Sequence, residues 1–145
     1  MKLVIQRVIK AKVEVGGKTV GKINKGFMVL LGVAEGDTQE QADYLVKKLC
    51  NLRVFEDENE KMNLALKDVG GELLIISQFT LCADCSGGNR PSFTGAEKPD
   101  KANKLYEYFC EECRKSGIKV EKGIFGADMQ VSLINDGPVT ILMEK

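Results

Sequence analysis

The 145-residue sequence contains no histidine. Without an imidazole, the chain cannot form a Ser-His-Asp triad, a Cys-His pair or a metal site with a histidine ligand. Any chemistry must come from backbone dipoles, hydroxyls, carboxylates, lysines, arginines, thiolates or the substrate itself. This absence is the strongest restriction that the sequence places on mechanism.

The chain also lacks an excess of charge and a long apolar run. Lys plus Arg and Asp plus Glu number 21 each, so the formal net charge is zero. A protein that coats nucleic acid non-specifically would normally be basic, although a local basic patch could still hold one end of an RNA. No apolar run approaches the roughly 20 residues of a membrane-spanning helix. The segment from Met1 to Arg7 reaches a charge too early for a signal peptide. We therefore expect a cytoplasmic protein with no membrane partner.

Internal repeats, low-complexity segments and linkers are absent as well, and 43% of the residues are hydrophobic. This length and composition predict a single domain, residues 1–145, with a real core. Alternation and apolar runs predict strands over 3–15, 18–23, 27–33, 52–55, 72–81, 118–120, 125–134 and 139–143, with a Gly16-Gly17 hairpin and a turn at 135–138.

Two apolar stripes at helical spacing predict two helices. The first should begin after Asp37, which has capping-box spacing with Glu40. The second should begin near Pro99 and end at Gly117. Together these segments predict an α+β fold: a curled, mainly antiparallel, barrel-like sheet with two main helices.

Five cysteines form an odd set, and we expect reduced thiols. The spacing of Cys82 with Cys85 and of Cys110 with Cys113 resembles that of a four-thiolate zinc site. However, the second pair lies inside the second predicted helix. The first pair follows a strand rather than the helix N-terminus that activates a thioredoxin-like thiol. We favour small core residues, and we predict no metal and no cofactor.

Uncharged polar residues end the apolar strand predicted over 72–81, in the segment Ser77-Gln78-Phe79-Thr80. Polar groups at the end of a core strand must be hydrogen bonded or must face a cleft. The segment is therefore either a strand that runs into an ordinary turn or the wall of a site.

Two further residues are unusual in their predicted elements. Arg7 lies on the apolar face of the first strand, where its guanidinium needs acceptors. One interpretation is that Arg7 pairs with a structural carboxylate or extends its charged group to solvent at a strand end. The other is that it holds backbone carbonyls or an anion at a site. Pro138 follows Gly137 in a predicted turn, where a proline removes a donor from the strand ladder. An ordinary turn with an edge proline would also account for this pair.

Four segments closely resemble motifs of the bacterial-type D-aminoacyl-tRNA deacylases, also described as D-tyrosyl-tRNA deacylases. They are Ser77-Gln78-Phe79-Thr80, Asn89-Arg90-Pro91-Ser92-Phe93, Phe125-Gly126-Ala127-Asp128-Met129-Gln130-Val131 and Asn135-Asp136-Gly137-Pro138-Val139-Thr140. The resemblance extends from Gln6-Arg7-Val8 to the last predicted strand. Cys82 departs from it, because the family usually carries an aromatic residue there.

The resemblance implies an enzyme that hydrolyses the ester between a D-amino acid and the 3′-terminal adenosine of tRNA, without histidine or cofactor. L-aminoacyl-tRNA would be spared, glycine on mischarged tRNA would be removed, and the role would be proofreading of translation. The catalytic groups would be those of Ser77, Gln78, Phe79 and Thr80, with backbone amides stabilising the oxyanion. The substrate's 2′-hydroxyl would assist the attacking water. Thr80 is the obvious side-chain nucleophile, but no base that would activate it is evident.

The family also implies a homodimer in which a cis Gly137-Pro138 peptide enters the partner subunit's pocket. Arg7 would hold the carbonyls of that loop, and Phe125 and Met129 would lie beside the adenine and the acyl group. Two other classes stay open on the residues alone. One is a non-catalytic module that binds an RNA end, and the other is a zinc-stapled interaction module.

Overall fold

The computed structural model describes residues 1–145. It contains eight strands, two α-helices and two short 3₁₀ helices. In chain order they are β1 (Lys2–Val15), β2 (Lys18–Ile23), β3 (Gly26–Gly32), α1 (Gln39–Cys50), β4 (Phe55–Glu56), β5 (Met62–Leu64), a 3₁₀ helix at Leu66–Val69, β6 (Glu72–Ser77), a 3₁₀ helix at Phe79–Cys82, α2 (Pro99–Lys115), β7 (Val120–Lys122) and β8 (Gln130–Glu144).

The sheet is organised around β1, whose 14 residues are long enough to pair with two strands on one edge. Its first half pairs with β3 and its second half with β2, while β8 runs along the opposite edge; all three pairings are antiparallel. The pairs of β6 with β3 and with β7 are parallel. Because β2 also contacts β6 and β7, the sheet curls on itself. The predicted α+β architecture is confirmed.

The core lies on both faces of the curled sheet. The larger cluster fills the space between the sheet and the two helices, and a smaller one lies inside the curl. Alternate residues of β6 contribute to the two clusters. Leu73 and Ile75 belong to the larger cluster, and Leu74 and Ile76 belong to the smaller one. A strand buried on both faces is apolar throughout, which explains the uninterrupted apolar run from Leu73 to Ile76. No helix is long and apolar enough to cross a membrane.

Both predicted helices form, and their apolar stripes are buried. Pro99 occupies the first turn of α2, as predicted. The predicted cap of α1 is wrong, because Thr38 caps the helix in a reciprocal box with Gln41. Asp37 instead accepts hydrogen bonds from the Met1 ammonium at 2.8 Å and from the Ala34 amide at 2.7 Å. A tertiary partner thus takes the carboxylate that the local spacing assigned to the helix.

Several strand boundaries differ from prediction. The strand predicted over 52–55 forms only at Phe55–Glu56, and the one predicted over 118–120 lies at Val120–Lys122. The strand predicted over 72–81 ends at Ser77 and turns into a 3₁₀ helix, and residues 125–129 precede β8 instead of belonging to it. Apolar content indicated these segments correctly, but the hydrogen-bonding partners that define their ends come from distant residues.

The turn predicted at 135–138 is wrong, because one continuous strand, β8, runs from Gln130 to Glu144 along β1. In the pairing of β1 with β8, Val8 lies opposite Asn135, and the next paired residue towards the start of β1, Gln6, lies opposite Thr140. Four residues of β8, 136–139, therefore oppose Arg7 alone. The segment is a bulge looped out of a single strand, and such bulges commonly re-aim groups near sites.

Candidate active site

A cavity of about 710 Å³ opens where β6 ends. Ser77, Gln78 and Phe79 form one wall, and the segment that precedes β8 contributes Phe125 and Met129. The remaining wall includes the start of α2: Glu97, Lys98, Pro99 and Ala102. The polar segment after the core strand therefore faces a cleft, as one of its two interpretations required.

Backbone geometry gives the Ser77–Thr80 segment free amide donors. The Gln78 amide donates to the Leu31 carbonyl at 2.8 Å, which extends the pairing of β6 with β3 by one residue. The 3₁₀ helix then begins, and its first N–H groups have no acceptor within the helix. Since the Leu81 amide donates to the Gln78 carbonyl at 3.3 Å, the amides of Phe79 and Thr80 are the ones left without an intrahelical partner. Such adjacent donors can stabilise an oxyanion.

The Thr80 side chain is exposed and accepts a short hydrogen bond from Nε2 of Gln78. Only two residues with ionisable side chains line the cavity, Glu97 and Lys98. A hydroxyl needs an adjacent base to act as a nucleophile, and the Gln78 amide group is not one. The surroundings of Thr80 thus favour a hydrogen-bonding role over a nucleophilic one.

Glu97 ties the start of α2 to the loop that follows β3. Its carboxylate accepts hydrogen bonds from the amides of Lys98 at 2.9 Å and Gly36 at 3.1 Å, and from Nζ of Lys101 at 2.8 Å. The Lys101 hydrogen bond, followed by the two backbone amides, lowers the pKa of Glu97 to about 2. This carboxylate is therefore engaged in holding the cavity wall.

Arg7 is 5% exposed and is satisfied mainly by main-chain oxygens. It donates to the Val54 carbonyl at 2.5 Å through Nη1 and to the Asp136 carbonyl at 3.1 Å through Nε. The carboxylates of Asp136 and Glu56 lie farther away, at 3.5 and 3.9 Å. The guanidinium thus holds the base of the 136–139 bulge against the loop that leads into β4.

The Gly137-Pro138 peptide is cis, and both residues are exposed at the tip of the bulge. Gly137 has φ +128°, and a Cβ there would lie 2.9 Å from Cγ2 of Val139 and 3.1 Å from Nη2 of Arg7. None of these residues lines the cavity of its own chain. The structure thus brings Ser77, Gln78, Phe79, Phe125 and Met129 together in the cavity wall. Four predicted site residues do not line it: Thr80, which directly follows Phe79, and Arg7, Gly137 and Pro138.

The cysteine pairs have different surroundings. Cys85 is exposed, whereas Cys82, Cys110 and Cys113 are buried. Burial raises the pKa of Cys110 to about 12, so its thiol stays protonated at neutral pH. No group of three or more His, Cys, Asp or Glu side chains is placed to hold a metal ion.

No sequence pattern indicated that the start of α2 lines the cavity. Its contribution depends on the backbone contact of Ala34 with Ala96, which brings α2 to the end of β3. From the sequence, Phe93 was identified only as part of the family-like segment Asn89-Arg90-Pro91-Ser92-Phe93. Its ring packs edge-on against Phe79 at a centroid distance of 5.0 Å beside the cavity.

The comparisons with known proteins match nearly the whole chain. The family model described as D-Tyr-tRNA(Tyr) deacylase matches residues 4–144. A D-aminoacyl-tRNA deacylase of Thermosipho africanus (strain TCF52B) is 60% identical over 99% of this chain and 97% of its own. One of Clostridioides difficile (strain 630) is 54% identical over the same shares.

Two solved structures are similar to nearly the whole chain. The structure described as the c-Myc DNA unwinding element binding protein is 44% identical, with a TM-score of 0.92 over 100% of this chain and 99% of that one. A probable eukaryotic D-amino acid tRNA deacylase has a TM-score of 0.82 over 98% of this chain and 97% of that one; at 18% identity, it supports the fold alone. The family-model match over residues 4–144 and the relatives at 54% and 60% identity establish that the chain belongs to the D-Tyr-tRNA(Tyr) deacylase family.

Proposed function

We propose that this protein hydrolyses the ester between a D-amino acid and the 3′-terminal adenosine of tRNA. The observation that carries the proposal is the family match over residues 4–144, together with a cavity built on the Ser77–Phe79 segment. Water adds to the ester carbonyl, and the tetrahedral intermediate then expels the ribose 3′-oxygen, which takes up a proton. The products are the free D-amino acid and the tRNA.

The main-chain amides of Phe79 and Thr80 are the proposed donors to the oxyanion. They have no partner within the 3₁₀ helix, and the neighbouring Gln78 amide is fixed by Leu31. Preorganised donors of this kind need no reorientation during the reaction, so they stabilise developing charge effectively. The ribose 2′-hydroxyl of the substrate assists the attacking water, since the wall offers no free base.

The apolar part of the cavity accommodates the terminal adenosine. Phe125 and Met129 provide a ring face and a polarisable thioether, and both suit contact with a flat base. In this arrangement the adenine lies beside these two residues, and the ester reaches the Ser77–Thr80 segment.

The Gly137-Pro138 tip completes the cavity of the partner subunit in a homodimer. Its exposure, its position outside its own cavity and its attachment through Arg7 all support this assignment. A D- and an L-aminoacyl ester carry the same groups, so selectivity requires an obstacle where the L side chain would lie. Glycine has no Cβ, so this backbone can approach the substrate closely. A glycyl ester presents no side chain to the obstacle and is cleaved as well.

This activity removes D-amino acids, and glycine from mischarged tRNA, before they reach the ribosome. The function is thus proofreading of translation by a cytoplasmic enzyme, with aminoacyl-tRNA as its partner.

The test is a multiple-turnover time course with D-tyrosyl-tRNA in excess over the protein. We expect release of many equivalents of D-tyrosine per subunit. An RNA-end-binding module would retain the tRNA without turnover, and that outcome would contradict the proposal. Elemental analysis of the same preparation tests the zinc-stapled alternative, which requires stoichiometric metal.

A further inference from the structure

Lys98 occupies an unusual position for a lysine, the N-cap of the 17-residue helix α2. Ser, Thr, Asp and Asn are preferred at N-caps because their oxygens accept hydrogen bonds from free amides, and Lys98 makes no such bond. A cation at this end of a helix is also repelled by the helix dipole. Residues that break local rules of this kind are expected where function requires them.

The charge of Lys98 is not compensated within the protein. Glu97 is the only other residue with an ionisable side chain in the cavity wall, and its carboxylate is taken by Lys101 and two backbone amides. The Lys98 ammonium itself forms no ion pair and no hydrogen bond with the protein. Lys98 is therefore an exposed residue of the cavity wall whose positive charge has no partner in the protein.

We propose that Lys98 binds the phosphodiester that joins the terminal adenosine to the preceding nucleotide. The inference rests on the proposed function, because it takes the 3′ end of tRNA as the ligand of this cavity. An adenosine ester has no anionic group on its base or ribose, so the first negative charge along the RNA is this phosphate. An ammonium on a long flexible stem is a common phosphate ligand. In a protein of zero net charge, such a local contact supplies attraction that the overall field does not.

A carboxylate on the acyl side chain is the other source of an anion. The ester is expected at the Ser77–Thr80 segment, whereas Lys98 belongs to the separate wall formed by α2. A phosphate that extends from the ribose suits this separate wall better than a side chain attached next to the ester carbon. The experiment below includes both sources.

The first measurement is binding of two probes, adenosine and the dinucleotide cytidylyl-(3′→5′)-adenosine, by titration calorimetry. The parent should bind the dinucleotide about three- to tenfold more tightly than adenosine, as expected for one partly solvated charge-assisted contact. Lys98→Gln should remove most of this preference, and Lys98→Arg should keep it. Lys104→Gln is the matched control, since Lys104 is an exposed, unpaired lysine of the same helix that does not line the cavity.

The second measurement is hydrolysis of D-aspartyl-tRNA, which carries an acyl carboxylate, and of the pair D-tyrosyl-adenosine and D-tyrosyl-tRNA. The ratio of the kcat/KM values for this pair should shift against the tRNA in Lys98→Gln, and the slope of log KM against log salt should fall by about 0.7 for one lost single-strand phosphate contact. Equal losses on both substrates, or a parent that binds both probes equally, would overturn the assignment. A loss confined to D-aspartyl esters would identify an acyl carboxylate as the ligand instead. A preserved dinucleotide preference without ester cleavage would count against the proposed function alone.

Discussion

The buried guanidinium of Arg7 connects the sheet to the bulge that carries Gly137 and Pro138. Its two shortest hydrogen bonds go to the carbonyls of Val54 and Asp136, which stay in place if the side chain is removed. Buried carbonyls without a donor destabilise the fold, and a loosened bulge would no longer present its tip in a fixed position.

Arg7→Ala should therefore lower the free energy of unfolding by about 1–3 kcal/mol and also lower the deacylation rate. Urea unfolding and a deacylation assay below the melting temperature measure the two effects separately. Arg53→Ala is the matched control, because Arg53 also donates to a carbonyl, that of Asn63, but is exposed. An unchanged deacylation rate in Arg7→Ala would mean that Arg7 has only a structural role.

Thr80→Ala should keep deacylation activity within about tenfold of the parent, because the proposed oxyanion donor at this position is the main-chain amide. Single-turnover assays quenched with acid measure the rate and would trap any acyl-enzyme. Thr19→Ala, which changes an exposed threonine of β2, is the control. A loss of a thousandfold or more, or an acyl group on Thr80, would restore the nucleophile interpretation.

At the residue scale, the sequence was informative where a residue contradicted its surroundings. Arg7 on an apolar face and the polar Ser77-Gln78 pair after an apolar strand both pointed to real features. Lys98 gave no such signal, because a lysine next to a proline in a polar segment is ordinary until the helix boundary is known.

At the scale of elements, the end of β3 packs directly against the segment that holds the proposed oxyanion donors. A Cβ on Gly32 would lie 2.9 Å from Cβ of Leu81 and 3.0 Å from the Gln78 carbonyl oxygen. Both of these atoms are fixed by the backbone, so neither can move alone.

Gly32→Ala should consequently shift the 3₁₀ segment and lower kcat by about tenfold or more, since small displacements of catalytic groups are costly. Gly87→Ala is the control, because nothing lies within 4 Å of a Cβ there. Steady-state kinetics and melting temperatures of both variants provide the comparison. Equal kcat values in the two variants would show that the segment tolerates displacement.

The link between α2 and the loop after β3 should be sensitive to pH through Glu97. Folding lowers the pKa of Glu97 to about 2, so the folded state favours the ionised carboxylate. Its stabilising contribution is complete above the ordinary value of about 4.3 and is lost as the pH falls towards 2.

Glu97→Gln should melt at a lower temperature than the parent at pH 7, and the difference should narrow between pH 4.5 and pH 2.5. Glu58→Gln, in the exposed turn between β4 and β5, should match the parent throughout. A difference that stays constant over this range would show that the charge of Glu97 does not stabilise the fold.

Element types were predictable because the amphipathic stripes and the strand alternation depend on local spacing. The ends of the elements were not, because distant partners set them. Asp37 does not cap α1 as predicted, because its carboxylate binds the Met1 ammonium. The 135–138 segment lies within one strand, because β1 pairs with β8 on both sides of it.

At the scale of the whole molecule, the proposed function divides the active site between two subunits. Within one chain the cavity and the exposed Gly137-Pro138 tip are separate. In the proposed homodimer, the tip of one subunit meets the cavity of the other. The sequence could predict this division only through family resemblance, since no local pattern indicates where a second chain docks.

Subunit mixing tests the division. Gly137→Ala should damage the tip, because its Cβ would crowd Arg7 and Val139, and Met129→Arg should obstruct the cavity. Each variant alone should be nearly inactive. Co-refolded in equal amounts, they should recover about one quarter of parental activity, since half of the dimers are mixed and each mixed dimer has one intact site. Activity that stays at the mean of the two variants would place cavity and tip in the same subunit's site.

The stereospecificity of the proposed deacylation is measured by comparing kcat/KM for D-tyrosyl-tRNA and L-tyrosyl-tRNA under identical conditions. We expect a preference of at least about 100-fold for the D-ester, because the proposed rigid obstacle at Gly137-Pro138 excludes the L side chain. Glycyl-tRNA, with no side chain to exclude, should be cleaved as well. Similar rates on the D- and L-esters would contradict the proposed exclusion of the L side chain.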